Sequence, residues 1–171
     1  MATYDFTNRA SGSIPNEPSN KPLQVLFDFA VTHTDNTTGT DITSFAAGDI
    51  LKLVNVEKGT QVNALQTQIM LALPNGLSAT GGTAQTVKAN IGDSGSATRY
   101  NSAVVLSQAA GTVLWGDAST GGTWSSRVSN YYSADDYIKI TLSEAVSKGQ
   151  ILLVIDALDW NITPQQFVVG R

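Results

Sequence analysis

The stretch Gly48-Asp49-Ile50-Leu51-Lys52-Leu53-Val54-Asn55-Val56-Glu57-Lys58-Gly59-Thr60-Gln61-Val62 decides the fold class of this chain. Its first part is rich in β-branched and apolar residues, which is typical of a strand. The turn that follows contains Gly59, which is free to adopt a positive φ. A second apolar run ends at Pro74-Asn75-Gly76, because proline donates no ladder hydrogen bond and Asn-Gly favours a turn. We therefore expect two antiparallel core strands between Ile50 and Leu73.

Apolar segments of strand length recur along the rest of the chain, separated by loops rich in Gly, Ser, Thr and Asn. The further strands that we predict are Leu23–Val31, Gln85–Ile91, Thr112–Trp115, Val128–Tyr132, Tyr137–Leu142 and Ile151–Leu158, and Thr98–Leu106 is either a strand or an irregular segment. No segment has the period of a strong amphipathic helix, whereas parallel βαβ folds need long helical crossovers. About eight strands joined by turns predict an all-β, antiparallel two-sheet sandwich. The pattern alone does not separate a jelly roll from an immunoglobulin-like topology.

Composition excludes several classes of function. The chain has 171 residues, which suits one domain, and it contains no cysteine, so disulfides and thiolate metal sites are excluded. The net charge is −4 and 14% of the residues are charged, so the chain lacks the basic field that nucleic-acid binding needs. No apolar run approaches the roughly 20 residues that span a bilayer, and residues 1–20 do not resemble a signal peptide. We expect neither nucleic acid nor a membrane as partner.

The N-terminal segment differs from the rest of the chain. Residues 1–22 are polar, contain three prolines and show no period of 2 or 3.6. Tyr4, Phe6 and Ile14 are isolated apolar residues in it. The segment is either a frayed terminus, an extended arm that docks these residues on a neighbouring subunit, or a short strand that covers its own domain. We predict an arm over 1–22 and a sandwich domain over 23–171, with Tyr4, Phe6 and Ile14 as candidates for contact with a partner.

Four short patches share an order of motifs along the chain. They are Ala47-Gly48-Asp49-Ile50-Leu51-Lys52-Leu53-Val54 with Lys58-Gly59-Thr60; Ile91-Gly92-Asp93-Ser94-Gly95; Tyr131-Tyr132-Ser133-Ala134-Asp135-Asp136-Tyr137-Ile138-Lys139-Ile140; and Lys148-Gly149-Gln150-Ile151-Leu152-Leu153-Val154. These patches resemble a group of tailed-phage virion structural proteins. In that group an apolar strand and a Gly-Thr turn are followed by a Gly-Asp loop, a Tyr-rich turn with Ala-Asp and a final apolar strand. The resemblance spans residues 47–157.

The resemblance implies a jelly-roll-like sandwich and a structural role without catalysis or cofactor. It implies a capsid (head) decoration protein of a bacteriophage that binds and stabilises the shell, often as a homotrimer. The partner would be the major capsid protein, and the location the capsid surface of a virion assembled in the host cytoplasm. The alternative is a carbohydrate- or receptor-binding module of a phage tail or fibre.

An enzymatic alternative rests on Gly92-Asp93-Ser94-Gly95, which also spells the nucleophile motif of chymotrypsin-like proteases. His33, then Asp41 or Asp49, then Ser94 would follow the order of their triad. Such a triad needs three convergent side chains and an oxyanion hole, not order alone. The residues after Gly95 and before His33 also depart from the protease pattern, so we predict no enzyme.

Two other groups of side chains allow a binding function. The adjacent carboxylates Asp135 and Asp136 could contribute to a calcium site, but calcium needs six or more oxygens and the EF-hand spacing is absent. Turn capping by aspartate is the favoured interpretation, and we predict no metal site. Aromatic residues could form a platform for sugar stacking or could fill the core and subunit contacts. They are Trp115, Trp124, Trp160, Tyr131, Tyr132 and Tyr137, and core or subunit contact is favoured.

Overall fold

The chain folds entirely into β-structure in the part that its computed structural model describes, which comprises residues 1–7, 23–62, 68–71, 78–79, 87–105, 113–115, 130–155 and 157–159. The strands are β1 Thr3–Asp5, β2 Leu23–Asp28, β3 His33–Thr34, β4 Asp41–Ile42, β5 Ile50–Val56, β6 Thr60–Val62, β7 Gln68–Leu71, β8 Ser78–Ala79, β9 Lys88–Gly92, β10 Asn101–Val105, β11 Val113–Trp115, β12 Asn130–Tyr131, β13 Asp136–Leu142, β14 Val146–Lys148, β15 Gln150–Ile155 and β16 Ala157–Asp159. The predicted all-β class is confirmed. No helix of the described ranges is long and apolar enough to cross a membrane.

Two larger sheets carry most of the described strands. The five-stranded sheet has the order β1-β5-β13-β9-β10, and the four-stranded sheet has the order β11-β7-β15-β2. All neighbours in both sheets are antiparallel except β1 and β5, which are parallel. Three smaller sheets complete the described pairings: β12-β6-β16, β14-β8 and β3-β4. The jelly-roll order itself stays a prediction.

One hydrophobic core receives side chains from both larger sheets. Strict alternation along β13 buries Ile138, Ile140 and Leu142, because successive side chains of a strand point to opposite faces. From the other sheet, Ile151 and Leu153 of β15 are fully buried. The two inner faces therefore pack against each other, as the predicted sandwich requires.

The predicted hairpin between Ile50 and Leu73 is wrong. Gly59 does adopt a positive φ of 90°, and Thr60 N–H donates to the Glu57 carbonyl at 3.1 Å, so the turn itself forms. However, β5 pairs with β1 and β13, whereas β6 pairs with β12 and β16. The residues after the turn bond to Tyr132, whose carbonyl accepts from Gly59 N–H and whose N–H donates to the Thr60 carbonyl. The turn therefore directs the chain into another sheet.

Two other predicted strands end earlier than the apolar pattern indicates. β2 stops at Asp28, whose Oδ1 accepts the Ala30 N–H at 2.8 Å and closes a local turn. Val31, which alternation places on the buried face, is consequently 48% exposed. The apolar run from Ile151 is divided between β15 and β16, which belong to different sheets.

Residues 1–7 are attached to the five-stranded sheet of their own domain. β1 lies parallel to β5, with Tyr4 opposite Leu51, and Phe6 N–H donates to the Lys52 carbonyl at 2.9 Å. This is the covering strand that the sequence leaves open, and it differs from an untethered arm. Residues 8–22 lie outside the described residues, so the domain boundary after residue 22 stays a prediction.

Candidate interaction surface

Three loops that are distant in sequence meet at one end of the five-stranded sheet. We call them the loop cluster, defined as residues 57–60, 93–100 and 130–136. Asp135 Oδ1 accepts the Lys58 N–H at 2.8 Å, which joins the first loop to the third. Ser94 Oγ donates to Asp136 Oδ2 at 2.8 Å, which joins the second to the third. Parts of three of the four patches that resemble phage virion proteins therefore lie next to one another.

Asp93 is the centre of the loop cluster. Its side chain is 1% exposed and forms a salt bridge with the Arg99 guanidinium. Its Oδ1 accepts the Ser96 N–H at 2.8 Å, and its Oδ2 accepts the Tyr132 hydroxyl at 2.9 Å. A buried carboxylate is tolerated only when it is paired and hydrogen-bonded, and Asp93 meets both conditions.

Gly92 lets the second loop close tightly over the sheet. A Cβ at this position would lie 2.0 Å from the backbone oxygen of Ser96 and 2.4 Å from the carbonyl carbon of Ala97. No side chain fits there without a shift of the backbone. The two residues of the Gly-Asp dipeptide therefore have different roles. Gly92 leaves space for the loop backbone, and Asp93 fixes the loop through its hydrogen bonds.

Two buried tyrosines complete the hydrogen-bond network. The hydroxyls of Tyr100 and Tyr132 are hydrogen-bonded to each other, and both residues lie in the core. Burial raises the pKa of Tyr100 to about 12. Burial also raises the pKa of Tyr132, and the hydrogen bond with Tyr100 adds to this effect. Both hydroxyls are therefore protonated at neutral pH, which allows Tyr132 to donate to Asp93.

The loop cluster has one exposed aromatic side chain. Tyr131 is 56% exposed, whereas the following Tyr132 is buried. The polar groups of the loop cluster are hydrogen-bonded to one another, so its loops are preorganised. Tyrosine is enriched at protein interfaces because its ring buries a large area and its hydroxyl remains hydrogen-bonded. The sequence analysis left open whether Tyr131 lies in the core or in a subunit contact, and its exposure excludes the core.

The residues of the suggested protease triad are each bonded elsewhere. His33 stacks on Phe27, with ring centroids 4.1 Å apart, and its Nε2 lies 2.6 Å from the Asp28 carbonyl oxygen. Ser94 donates to Asp136, as described above. The described contacts therefore include no hydrogen bond between His33 and Ser94.

The two candidate aspartates of that triad have structural roles. Asp49 accepts the Ala2 N–H at 2.7 Å and the Ala46 N–H at 2.8 Å. Asp41 of β4 accepts the hydroxyl of Thr34 at 2.8 Å, and Thr34 is its register partner in β3. Both carboxylates thus satisfy neighbouring donors rather than orient a histidine.

The adjacent carboxylates Asp135 and Asp136 cap loop backbone in the way that the turn interpretation predicts. Besides Lys58 N–H on Asp135, Asp136 Oδ1 accepts the Tyr137 N–H at 2.7 Å. Within the described ranges, no three side chains of the types that bind metals form a group.

The aromatic residues considered for sugar stacking do not share one face. Tyr132 is buried, Tyr131 is exposed, and Tyr137 lies beneath Lys52. Trp115 belongs to β11, whereas Trp124 and Trp160 lie outside the described residues. The three tyrosines therefore form no common platform.

Tyr4 and Phe6, two of the predicted partner contacts, pack against the core of their own chain. Tyr4 meets Phe45 edge-on at 6.1 Å, and Phe6 meets Phe27 at 5.3 Å between ring centroids. The ring of His33 lies 5.3 Å from that of Phe6, so the histidine belongs to this aromatic group. Ile14 lies outside the described residues, and contact of these residues with a partner stays a prediction.

Comparison with known proteins gives one similar fold. No protein-family model matches this chain, and no curated protein matches it in sequence. The capsid of Ralstonia phage GP4 contains a chain of similar structure, with a TM-score of 0.51 over 85% of this chain and 88% of that chain. The two sequences are 16% identical in the aligned region. At this identity the likeness is one of fold, so this all-β chain shares its fold with a chain of a phage capsid.

Proposed function

We propose that this chain is a non-enzymatic structural protein of a phage virion. The observation that carries the proposal is its fold likeness to a phage capsid chain over 85% of its length. The loop cluster supports it, because its hydrogen-bonded loops are preorganised and its residue Tyr131 is exposed to a partner.

Within that class, we propose a head decoration protein that binds the major capsid protein and stabilises the shell from its outer surface. A homotrimer around a symmetry axis suits this role, because cyclic packing lets one small domain join several shell subunits. Each added interface must be broken before the shell opens. The particles would be assembled in the host cytoplasm.

The test uses empty heads assembled from the major capsid protein of the phage that encodes this chain. The purified chain is mixed with these heads, and binding is measured by co-sedimentation and electron microscopy. We expect saturable binding in a symmetric arrangement and a higher temperature of head disruption. A chain that stays in the supernatant at every concentration would contradict the decoration role.

Light scattering coupled to gel filtration tests the trimer separately. A stable trimer in solution, or a trimer seen only on the head, would agree with the proposal.

A carbohydrate- or receptor-binding role gains no support from the three separated tyrosines, and binding on a glycan array in the absence of head binding would favour that role instead.

A further inference from the structure

Two lysines face each other on the outer side of the five-stranded sheet. Lys139 of β13 is directly opposite Lys52 of β5 in the antiparallel register. An extra residue in β5 produces this pairing, since Ile138 faces Val54 while Lys139 faces Lys52 and Leu53 is left without a partner. Without this bulge Lys139 would be opposite Leu53 and not Lys52, because the extra residue in β5 shifts the pairing of the two strands by one position.

The ring of Tyr137 lies beneath both ammonium groups. Lys52 Nζ is 4.3 Å from the ring centroid, and Lys139 Nζ is 5.9 Å from it. A cation within about 6 Å of an aromatic face is attracted by the electrons of the ring. Asn55 is opposite Tyr137 and is exposed, so its amide borders the same spot. We call these four residues the lysine–tyrosine patch.

Neither ammonium group of the patch forms a salt bridge with a carboxylate of the described ranges. Like charges placed directly opposite each other destabilise a sheet. The salt bridge that the described residues contain joins Arg99 and Asp93 instead. Asp5 is next to Lys52 in register and offsets part of the charge, but its Oδ1 is held by the backbone N–H and the hydroxyl of Thr7, so the pair of lysines keeps a net positive charge. A bound anion would therefore lower the energy of this pair.

We infer that the lysine–tyrosine patch binds carboxylate groups on an acidic surface of the shell protein. This rests on the proposed function for the identity of the partner. Carboxylates are favoured over a nucleic acid because two ammonium groups match a small cluster of carboxylates, whereas nucleic-acid binding needs a basic field along several phosphates, which a chain with a net charge of −4 lacks. The ring positions the two ammonium groups, and the exposed Asn55 amide can donate an additional hydrogen bond to a carboxylate oxygen.

A hexaglutamate peptide tests the site without the shell. Its binding to the purified chain is measured at low salt by fluorescence anisotropy and by NMR shifts of the amides around Lys52 and Lys139. We expect Lys52→Gln with Lys139→Gln to weaken binding about tenfold. The matched control removes two other exposed lysines, Lys88→Gln with Lys148→Gln, and should change affinity less than about twofold. Equal weakening by both pairs would overturn the site.

Substitution of the ring tests its part in positioning the cations. Tyr137→Phe keeps the ring and should leave peptide binding within about twofold, whereas Tyr137→Leu should weaken it about fivefold. Far-UV circular dichroism shows whether each variant is folded. Tighter binding of a single-stranded oligonucleotide than of the peptide, lost in the same lysine variant, would overturn the assignment to carboxylates.

Head binding by the same variants separates the two proposals. If wild type binds heads and Lys52→Gln with Lys139→Gln binds them as tightly, the shell protein is not the partner of this patch and the inference fails. If wild type does not bind heads but the peptide results hold, the proposed function fails and the carboxylate site stands.

Discussion

Asp93 shows how one buried charge can organise a surface made of distant segments. Its carboxylate receives donors from Ser96 and Tyr132, and it pairs with Arg99. Water is excluded from this position, so each donor lost would leave an acceptor without compensation. The shape of the loop cluster therefore depends on this side chain more than on any residue of the exposed rim.

Replacement of Asp93 tests this dependence. Asp93→Ala should lower the free energy of unfolding by about 3 kcal/mol, because it leaves Arg99 and the Tyr132 hydroxyl without their acceptor. Ser94→Ala is the matched control in the same loop, and its exposed hydroxyl bond should contribute less than about 1 kcal/mol. Urea denaturation of both variants measures the difference. Similar small losses for both would mean that the loop cluster is held by other contacts.

The two buried tyrosines predict a loss of stability at alkaline pH. Their folded-state pKa values are raised by burial, in the case of Tyr100 from 10.0 to about 12. The unfolded chain therefore loses these protons first. Their contribution is fully present below pH 10.0 and is lost as the pH rises towards about 12. Urea denaturation at increasing pH, with tyrosinate absorbance as a second signal, measures the window.

Phenylalanine variants supply the control for the alkaline window. Tyr100→Phe and Tyr132→Phe should each flatten the decline in stability between neutral and alkaline pH, because they remove a group that titrates differently in the two states. A decline as steep as that of the wild type in both variants would contradict the assignment to the buried pair.

Among the strands, β15 lies between β7 and β2 in the four-stranded sheet and pairs with both. Leu153 is fully buried and lies between Val25 of β2 and Ile69 of β7 in register. Leu153→Ala should reduce the free energy of unfolding by about 2–5 kcal/mol through loss of burial and the cavity that remains. Leu152→Ala, in the same strand but half-buried, should have an effect below about 1.5 kcal/mol. If Leu153→Ala and Leu152→Ala lowered the free energy of unfolding equally in urea denaturation, the assignment of the Leu153 face of β15 to the core would be wrong.

The N-terminal strand β1 is held to the domain by side chains as well as by its ladder. Asp49 accepts the Ala2 N–H, and Asp35 accepts the Asp5 N–H at 2.7 Å. Deletion of residues 1–7 would leave both buried carboxylates with fewer donors and would uncover Phe45, so we expect a loss of about 3 kcal/mol or more.

A milder variant keeps the prediction on β1 testable if the truncated chain fails to fold. Phe6→Ala removes a ring that packs on Phe27 and Phe45 and should lower the melting temperature. Thr3→Ala, at the exposed end of the strand, is its control. Unchanged stability on deletion of residues 1–7 would restore the untethered arm.

Sequence patterns predicted the features that depend only on neighbouring residues along the chain. Alternation located the buried faces of β13 and β9, and turn chemistry located the positive φ of Gly59. Turn chemistry does not specify which strand the chain meets next, and this is why the predicted hairpin from Ile50 was wrong. The network of Asp93 with Tyr132 joins residues 39 positions apart, and no local pattern encodes such a contact.

At the scale of the whole molecule, the shared core couples the two larger sheets. Phe27 and Leu153 from one sheet belong to the same buried cluster as Leu51 and Ile140 from the other. Neither inner face can be exposed without exposing its counterpart to water, which raises the free energy of any state that keeps only one sheet. The domain is therefore expected to unfold in one step.

Two spectroscopic signals of different origin test this coupling. Near-UV circular dichroism reports the packing of the aromatic side chains, which include the buried tyrosines of the loop cluster, and far-UV circular dichroism reports all strands. Their denaturation midpoints should coincide at one protein concentration, and Leu153→Ala should shift both equally although its strand belongs to the four-stranded sheet. With no cysteine in the chain, thiol oxidation cannot complicate refolding. If the variant moved the far-UV midpoint and left the tyrosine signal in place, the sheets would unfold independently, and the common core could not be the source of stability.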